Sequence, residues 1–192
     1  MKNLRIVFMG TAEFAVATLG SLLMNGFNVV GVVTAPDKPS GRGRKITKSA
    51  VKEFSEFSLL PVLQPENLKD QGFIESLRKL NPDVFIVVAF RMLPEAVWKI
   101  PPVGTINLHA SLLPHYRGAA PINRAIMNGE SETGVTTFFL TETIDTGQII
   151  LQEKVPVRFE DNAGDLYDRM MTIGASLVVK TALAITDSSF IL

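Results

Sequence analysis

The chain has 192 residues, 46% of them apolar, and its 19 basic and 19 acidic side chains cancel at neutral pH. That length suits one domain with a proper core, and the charge balance argues against a general affinity for nucleic acid or membrane surfaces. The lack of cysteine excludes disulfides, a thiol nucleophile and thiolate metal sites, and with only two histidines no metal is expected.

In chain order, residues 4–10 (LRIVFMG) are an apolar run ending in glycine, which predicts a buried strand. Residues 12–24 carry helical spacing, and 28–34 (NVVGVVT) predict a second buried strand. The 23 residues from 14 to 36 are uncharged and could be mistaken for a membrane span. Asn25-Gly26-Phe27-Asn28 breaks that run, and Glu13 spoils a secretory core, so neither a membrane segment nor a leader is expected and the location is read as cytoplasmic. Residues 35–49, rich in proline, glycine and base, predict a loop. Helices follow at 49–57 and 67–80 and strands at 60–65 and 82–90, then a short helix within 93–100 and a strand at 103–110. The pattern continues with a helix at 119–128, strands at 133–141 and 147–157 around a turn, and a long helix at 162–186. Alternating strands and helices predict a Rossmann-like α/β fold, an open, mostly parallel twisted sheet with helices on both faces. Ligands of such sheets bind beyond the carboxyl ends of the strands.

The charges are unevenly spread. Lys38, Arg42, Arg44, Lys45, Lys48 and Lys52 fall in one stretch with no acid, leaving 13 basic against 19 acidic residues elsewhere. By composition alone this is a solvated basic loop.

The strand at 103–110 carries a chemical signal. Side chains two apart share a face, so Asn107, His109 and Ser111 line up at its carboxyl end, where a buried strand would ordinarily be apolar. Three polar groups there need partners or a ligand. Asp145, in the turn Ile144-Asp145-Thr146-Gly147, is the acidic group best suited to orient His109. A Ser-His-Asp hydrolase is disfavoured, because Ser111 lies two residues from His109 and no G-x-S-x-G elbow exists. Neither a G-x-G-x-x-G fingerprint nor a P-loop is present, so no nucleotide cofactor is expected.

Taken together, NLHASLLPHYRGAAPINRAIMNGESETGVT and IDTGQII resemble the two diagnostic stretches of the folate-dependent formyltransferases. RIVFMGTAEFAV, DKPSGRGRKITKSAVK, LPVLQPENL and RGAAPINRAI narrow the resemblance to members acting in translation initiation. It covers residues 4 to about 185. It implies a catalytic trio of Asn107, His109 and Asp145, a formyl donor 10-formyltetrahydrofolate, and as acceptor the methionine α-amine of initiator methionyl-tRNA. It implies that Ser111, Leu112, Leu113 and Pro114 contact the folate and that Phe90, Arg91, Met92 and Leu93 wall the pterin pocket, in a segment one residue shorter than the usual pattern. Lys38, Arg42, Arg44, Lys45 and Lys48 would then bind tRNA phosphates. The resemblance further implies that residues 1–192 are a catalytic domain lacking the barrel-like C-terminal domain that helps hold tRNA. In the implied chemistry the amine attacks the formyl carbon, and Asn107 and protonated His109 bind the oxyanion. Asp145 supports the imidazolium and assists removal of the amine proton. The rivals are another folate-dependent formyltransferase, such as glycinamide ribonucleotide transformylase, and a non-catalytic RNA-binding module. Glu13 after the first strand disfavours a phosphate there, and the intact trio argues against the module.

Overall fold

In the computed structural model the described residues are 2–40 and 45–187. The elements are β1 (Lys2–Gly10), α1 (Glu13–Met24), β2 (Phe27–Val33), β3 (Lys38–Ser40), β4 (Lys45–Thr47), α2 (Ala50–Phe57), β5 (Val62–Leu63) and α3 (Gln71–Lys79). There follow β6 (Val84–Val88), α4 (Glu95–Trp98), β7 (Gly104–His109), α5 (Pro121–Met127), β8 (Glu132–Phe139), β9 (Ile149–Pro156) and α6 (Ala163–Thr186). Seven strands form one sheet in the order β5-β2-β1-β6-β7-β8-β9, the expected mostly parallel α/β class. The chain divides into two compact units, one of residues up to 16 with 26–105, the other of residues 17–25 and 106 onward.

The first unit is built on β1, which pairs in parallel with β2 and with β6. Ile6, Val7, Phe8 and Met9 are completely buried on both faces, which is why that run reads as continuously apolar. β5 shrinks to two paired residues because Pro61 and Pro65 flank it and cannot donate to the ladder. α3 starts later than the periodicity predicts. The Asn67 side chain accepts from the Lys69 amide, and Asp70 caps the helix by accepting from the Phe73 amide at 2.8 Å.

The stretch expected as a loop contains an antiparallel two-strand ribbon, β3 with β4, in which Ser40 faces Lys45. The ribbon's base is tied down within this unit. The carboxylate of Asp37 accepts from Lys52 Nζ at 2.6 Å and from Gln64 Nε2 at 2.8 Å, and the same amide also donates to the Ala35 carbonyl. The Lys52 ammonium first, and the Gln64 amide next, hold the Asp37 carboxyl below its ordinary range.

In the second unit β7 pairs antiparallel with β8, and β8 with β9. α6 packs on β8 and β9 and buries Leu166, Met170, Leu177 and Val178, each contributing about 1.5–3 kcal/mol. A capping box starts it, with Asn162 accepting from the Asp165 amide and Asp165 accepting from the Asn162 amide. Arg169 clamps Asp161 through two bonds of 2.6 and 2.8 Å, fixing the turn before the helix. By length and composition alone α6 could cross a membrane, but its apolar stripe serves this core. Thr136 and Thr137 are both fully buried on β8 and point to opposite faces. Thr137 shares a hydrogen bond of 2.8 Å with Thr181 of α6, while Thr136 serves the site.

Candidate active site

Asn107 and His109 lie at the carboxyl end of β7, in register with Phe138 and Thr136 of β8. Asn107 is half-buried, and among the described residues its side-chain amide has no hydrogen-bond partner. His109 is largely buried. Its Nδ1 stands 3.7 Å from Asp145 Oδ2, with the side chains 8% and 12% exposed, so the pair is shielded from solvent. On the other side Nε2 meets the backbone carbonyl of Tyr116 at 2.9 Å. The ring therefore lies between the Tyr116 carbonyl, within hydrogen-bond reach of Nε2, and the Asp145 carboxylate on the side of Nδ1.

Asp145 is held from the loop after β7. Its Oδ2 accepts from the Gly118 amide at 2.8 Å, and its backbone carbonyl accepts from Arg117 Nε at 2.8 Å. Asp145 has φ of 51°, in the left-handed region. Two residues on, Gly147 has no room for a Cβ, which would run into the Phe139 carbonyl. Tyr116 (φ 56°) and Ala120 (φ 51°) are also left-handed, at a cost of about 1–3 kcal/mol each. Such conformations persist only where surrounding contacts enforce them.

Ser111, expected to share the polar face, turns inward. It is completely buried and its hydroxyl donates to the His115 carbonyl at 2.5 Å. Thr136 braces the same segment. Its hydroxyl donates to the Ser111 carbonyl at 2.7 Å and accepts from the Leu113 amide at 3.2 Å. Gln152 Nε2 of β9 donates to Thr136 Oγ1 at 2.9 Å and to the Leu113 carbonyl at 3.0 Å. The Leu113–Pro114 peptide is cis. Leu113 is buried, Leu112 half-buried and Pro114 exposed, so Leu112 and Pro114 carry the accessible surface of this segment.

In the other unit, Phe90 to Leu93 follow β6 by way of Ala89, whose φ is 47°. Arg91 lies over the Phe90 ring at 5.6 Å and donates to the backbone carbonyls of Pro65 and Glu66. Met92 is exposed, Leu93 buried and Phe90 half-buried.

The basic stretch is less basic than its count. Lys48 donates to Glu56 at 2.6 Å, which holds the Lys48 ammonium above its usual range, and Lys52 is spent on Asp37. Lys38 is exposed on β3, and the backbone of Lys45 lies in β4. Arg42 and Arg44 lie outside the described residues.

The structure thus brings His109 to Asp145 and sets both beside the loop at 111–118. Tyr116, Arg117, Gly118, Thr136 and Gln152 are partners that the sequence reading missed. The one signal that could have found any of them is a pair of adjacent threonines in an otherwise buried strand.

The sequence pattern of the Formyl transferase family matches residues 4–182 of this α/β chain, and the chain belongs to that family. It is 57% identical over 180 residues to the Methionyl-tRNA formyltransferase of Porphyromonas gingivalis, covering 94% of this chain and 56% of that protein. It is 55% identical over 191 residues to the Methionyl-tRNA formyltransferase of Flavobacterium johnsoniae, covering 100% of this chain and 61% of that one. The chain therefore spans less than two thirds of the length of these relatives. Among solved structures, glycinamide ribonucleotide transformylase 1 from Symbiobacterium toebii shares the fold, with a TM-score of 0.83 at 19% identity over 100% of this chain and 91% of that one.

Proposed function

We propose that the chain transfers a formyl group from 10-formyltetrahydrofolate to the α-amine of methionine on initiator tRNA. The observation that carries the reading is His109, shielded against Asp145 at 3.7 Å, next to an Asn107 amide that has no partner among the described residues, on the same strand. The identity to relatives named for this activity supports the choice of acceptor.

In the proposed reaction the neutral amine attacks the formyl carbon and the formyl oxygen takes up negative charge. Asn107 donates to that oxygen, a contribution of about 2.7–4 kcal/mol for one such donor. His109 stabilises the same charge, and its Nε2–H reaches the oxyanion by exchanging the Tyr116 carbonyl for it. Asp145 holds the ring by charge and takes part in moving the amine proton. The new C–N bond forms, the bond from the formyl carbon to N10 breaks, and the proton ends on N10 of the departing tetrahydrofolate.

For the folate, the residues proposed are Ser111, Leu112, Leu113 and Pro114, with Phe90, Arg91, Met92 and Leu93. Ser111 and Arg91 act through backbone and shape, because their polar side-chain atoms are engaged with carbonyls. For tRNA we propose Lys38, Arg42, Arg44 and Lys45, with Lys48 joining if it leaves Glu56. Residues 1–192 act as the catalytic domain in this reading, and the location is the cytoplasm.

The test is formyl transfer from 10-formyltetrahydrofolate to three acceptors: methionyl-tRNA, glycinamide ribonucleotide and an amino-sugar nucleotide. Product on methionyl-tRNA alone is the expected result. Preference for glycinamide ribonucleotide would overturn the acceptor assignment, and no product on any acceptor would overturn the enzymatic reading.

A further inference from the structure

We infer that Tyr116 is a positioning residue for His109, and that the side chains anchoring Tyr116 set the imidazole's proton. The inference rests on the reading of His109 as a reacting group. The contact made to the ring is a backbone carbonyl, which any residue could offer, so the specificity has to come from what fixes that carbonyl. Tyr116 has φ of 56°, a conformation that a non-glycine residue leaves unless held. Its side chain is held at several points. The Arg124 guanidinium of α5 lies 5.1 Å over the ring. The phenol donates to Glu130 and accepts from Asn128 Nδ2 at 2.9 Å, both from the turn after α5. The Glu130 carboxylate raises the phenol's pKa, which keeps the donor protonated. Arg124 also donates to the Arg117 carbonyl at 3.2 Å, next to the bond from Arg117 Nε to Asp145.

The mechanical consequence is specific. With the Tyr116 carbonyl fixed 2.9 Å from Nε2, that nitrogen must carry a proton, because a carbonyl only accepts, and Nδ1 faces Asp145 Oδ2 at 3.7 Å. If the carbonyl swings away, the ring is free to rotate or to exchange tautomers, and the neutral state with its proton on Nδ1, donating toward Asp145, becomes accessible. The ring of Tyr116 therefore controls, without touching substrate, which nitrogen holds the proton that His109 offers once Nε2–H exchanges the carbonyl for the reacting oxygen.

The chain has two histidines, so selective ¹⁵N labelling of histidine yields two ring systems, assigned with a His115→Gln variant. At mildly alkaline pH the His109 Nε2–H correlation is expected in the wild type, protected by the Tyr116 carbonyl. Tyr116→Ala should lose it, and kcat for formyl transfer should fall roughly ten- to hundredfold, the range for misplacing one reacting group, while KM for the formyl donor holds. Tyr116→Phe, which keeps the ring under Arg124, should restore most of both. Should Tyr116→Ala not fold, Arg124→Gln, an exposed change, is expected to weaken the Nε2–H signal and kcat in the same direction. Folded variants that keep the wild-type signal, or that lose it with kcat unchanged, would overturn the inference. A folded wild-type chain that formylates no acceptor fails the functional reading instead, and the histidine spectra still decide the positioning.

Discussion

Replacing Thr136 by valine keeps shape and volume and removes one hydroxyl, so what it costs is a measure of what that hydroxyl holds. Thr136 is completely buried, Ser111 likewise, and Leu113 is 5% exposed, so water cannot take the vacated place. Two backbone groups lose their partner, the Ser111 carbonyl at 2.7 Å and the Leu113 amide at 3.2 Å. An orphaned buried group costs about 1–3 kcal/mol, so two give about 2–6 kcal/mol. Gln152 still holds the Leu113 carbonyl, and the segment can relax toward the exposed Pro114, which sets the expectation at about 2–4 kcal/mol. That is a large share of the roughly 5–15 kcal/mol by which domains are stable. Thr136→Ser, which keeps the oxygen, should lose only about 1 kcal/mol for its methyl group. Urea unfolding of the three proteins, compared at equal m, measures the difference, and formyl-donor titration shows whether the loosened segment at 111–114 also weakens binding. A valine variant within about 0.5 kcal/mol of the serine variant would refute the idea that the hydroxyl braces this loop, since it is smaller than the penalty for even one orphaned group.

Three other perturbations test separate parts of the account. Asn107→Ala and His109→Ala should each lower formyl transfer by about 10²–10³-fold in a chain that still folds, and turnover within a few-fold of wild type would contradict the oxyanion role. The Arg169 guanidinium, with the Arg158 amide second, holds the Asp161 carboxyl down to about 2. That folded value lies below the ordinary one, so the stability it confers is present above about pH 4 and fades as pH falls toward about 2. Melting of Asp161→Asn against wild type should therefore show a gap at neutral pH that closes across that window, and a gap independent of pH would count against it. Replacing Arg42, Arg44 and Lys45 by alanine should flatten the log–log salt dependence of methionyl-tRNA binding by about one unit per lost phosphate contact while leaving folate affinity alone. An unchanged slope would remove this basic stretch from the tRNA surface.

Much of the fold was legible because local rules and the core agreed. The apolar runs at 4–10 and 82–90 hold strands whose centres, 6–9 and 84–88, are buried on both faces, and the helix expected at 162–186 begins at its Asn162 cap. Period-two spacing put Asn107 and His109 on one strand end, and their chemical types made Asp145 the natural third member. Apart from Asp145, which comes from a distant turn, these features depend on neighbours in sequence, so their signal survives without coordinates.

Tertiary structure decided what depends on distant partners. The stretch at 35–49 pairs as β3 with β4, anchored from outside by Lys52 and Gln64, where proline and glycine alone predict a loop. Two of the six basic charges are neutralised by Asp37 and Glu56, which flank the run and escape a count made inside it. Ser111, aligned with the site by spacing, is drawn inward because the chain turns after His109 and offers it the His115 carbonyl. The carbonyl of Tyr116 on His109 and the hydroxyl of Thr136 on the loop carry no sequence signature. A backbone carbonyl belongs to every residue and a buried threonine to many strands, so only their placement by long-range packing makes them part of a site.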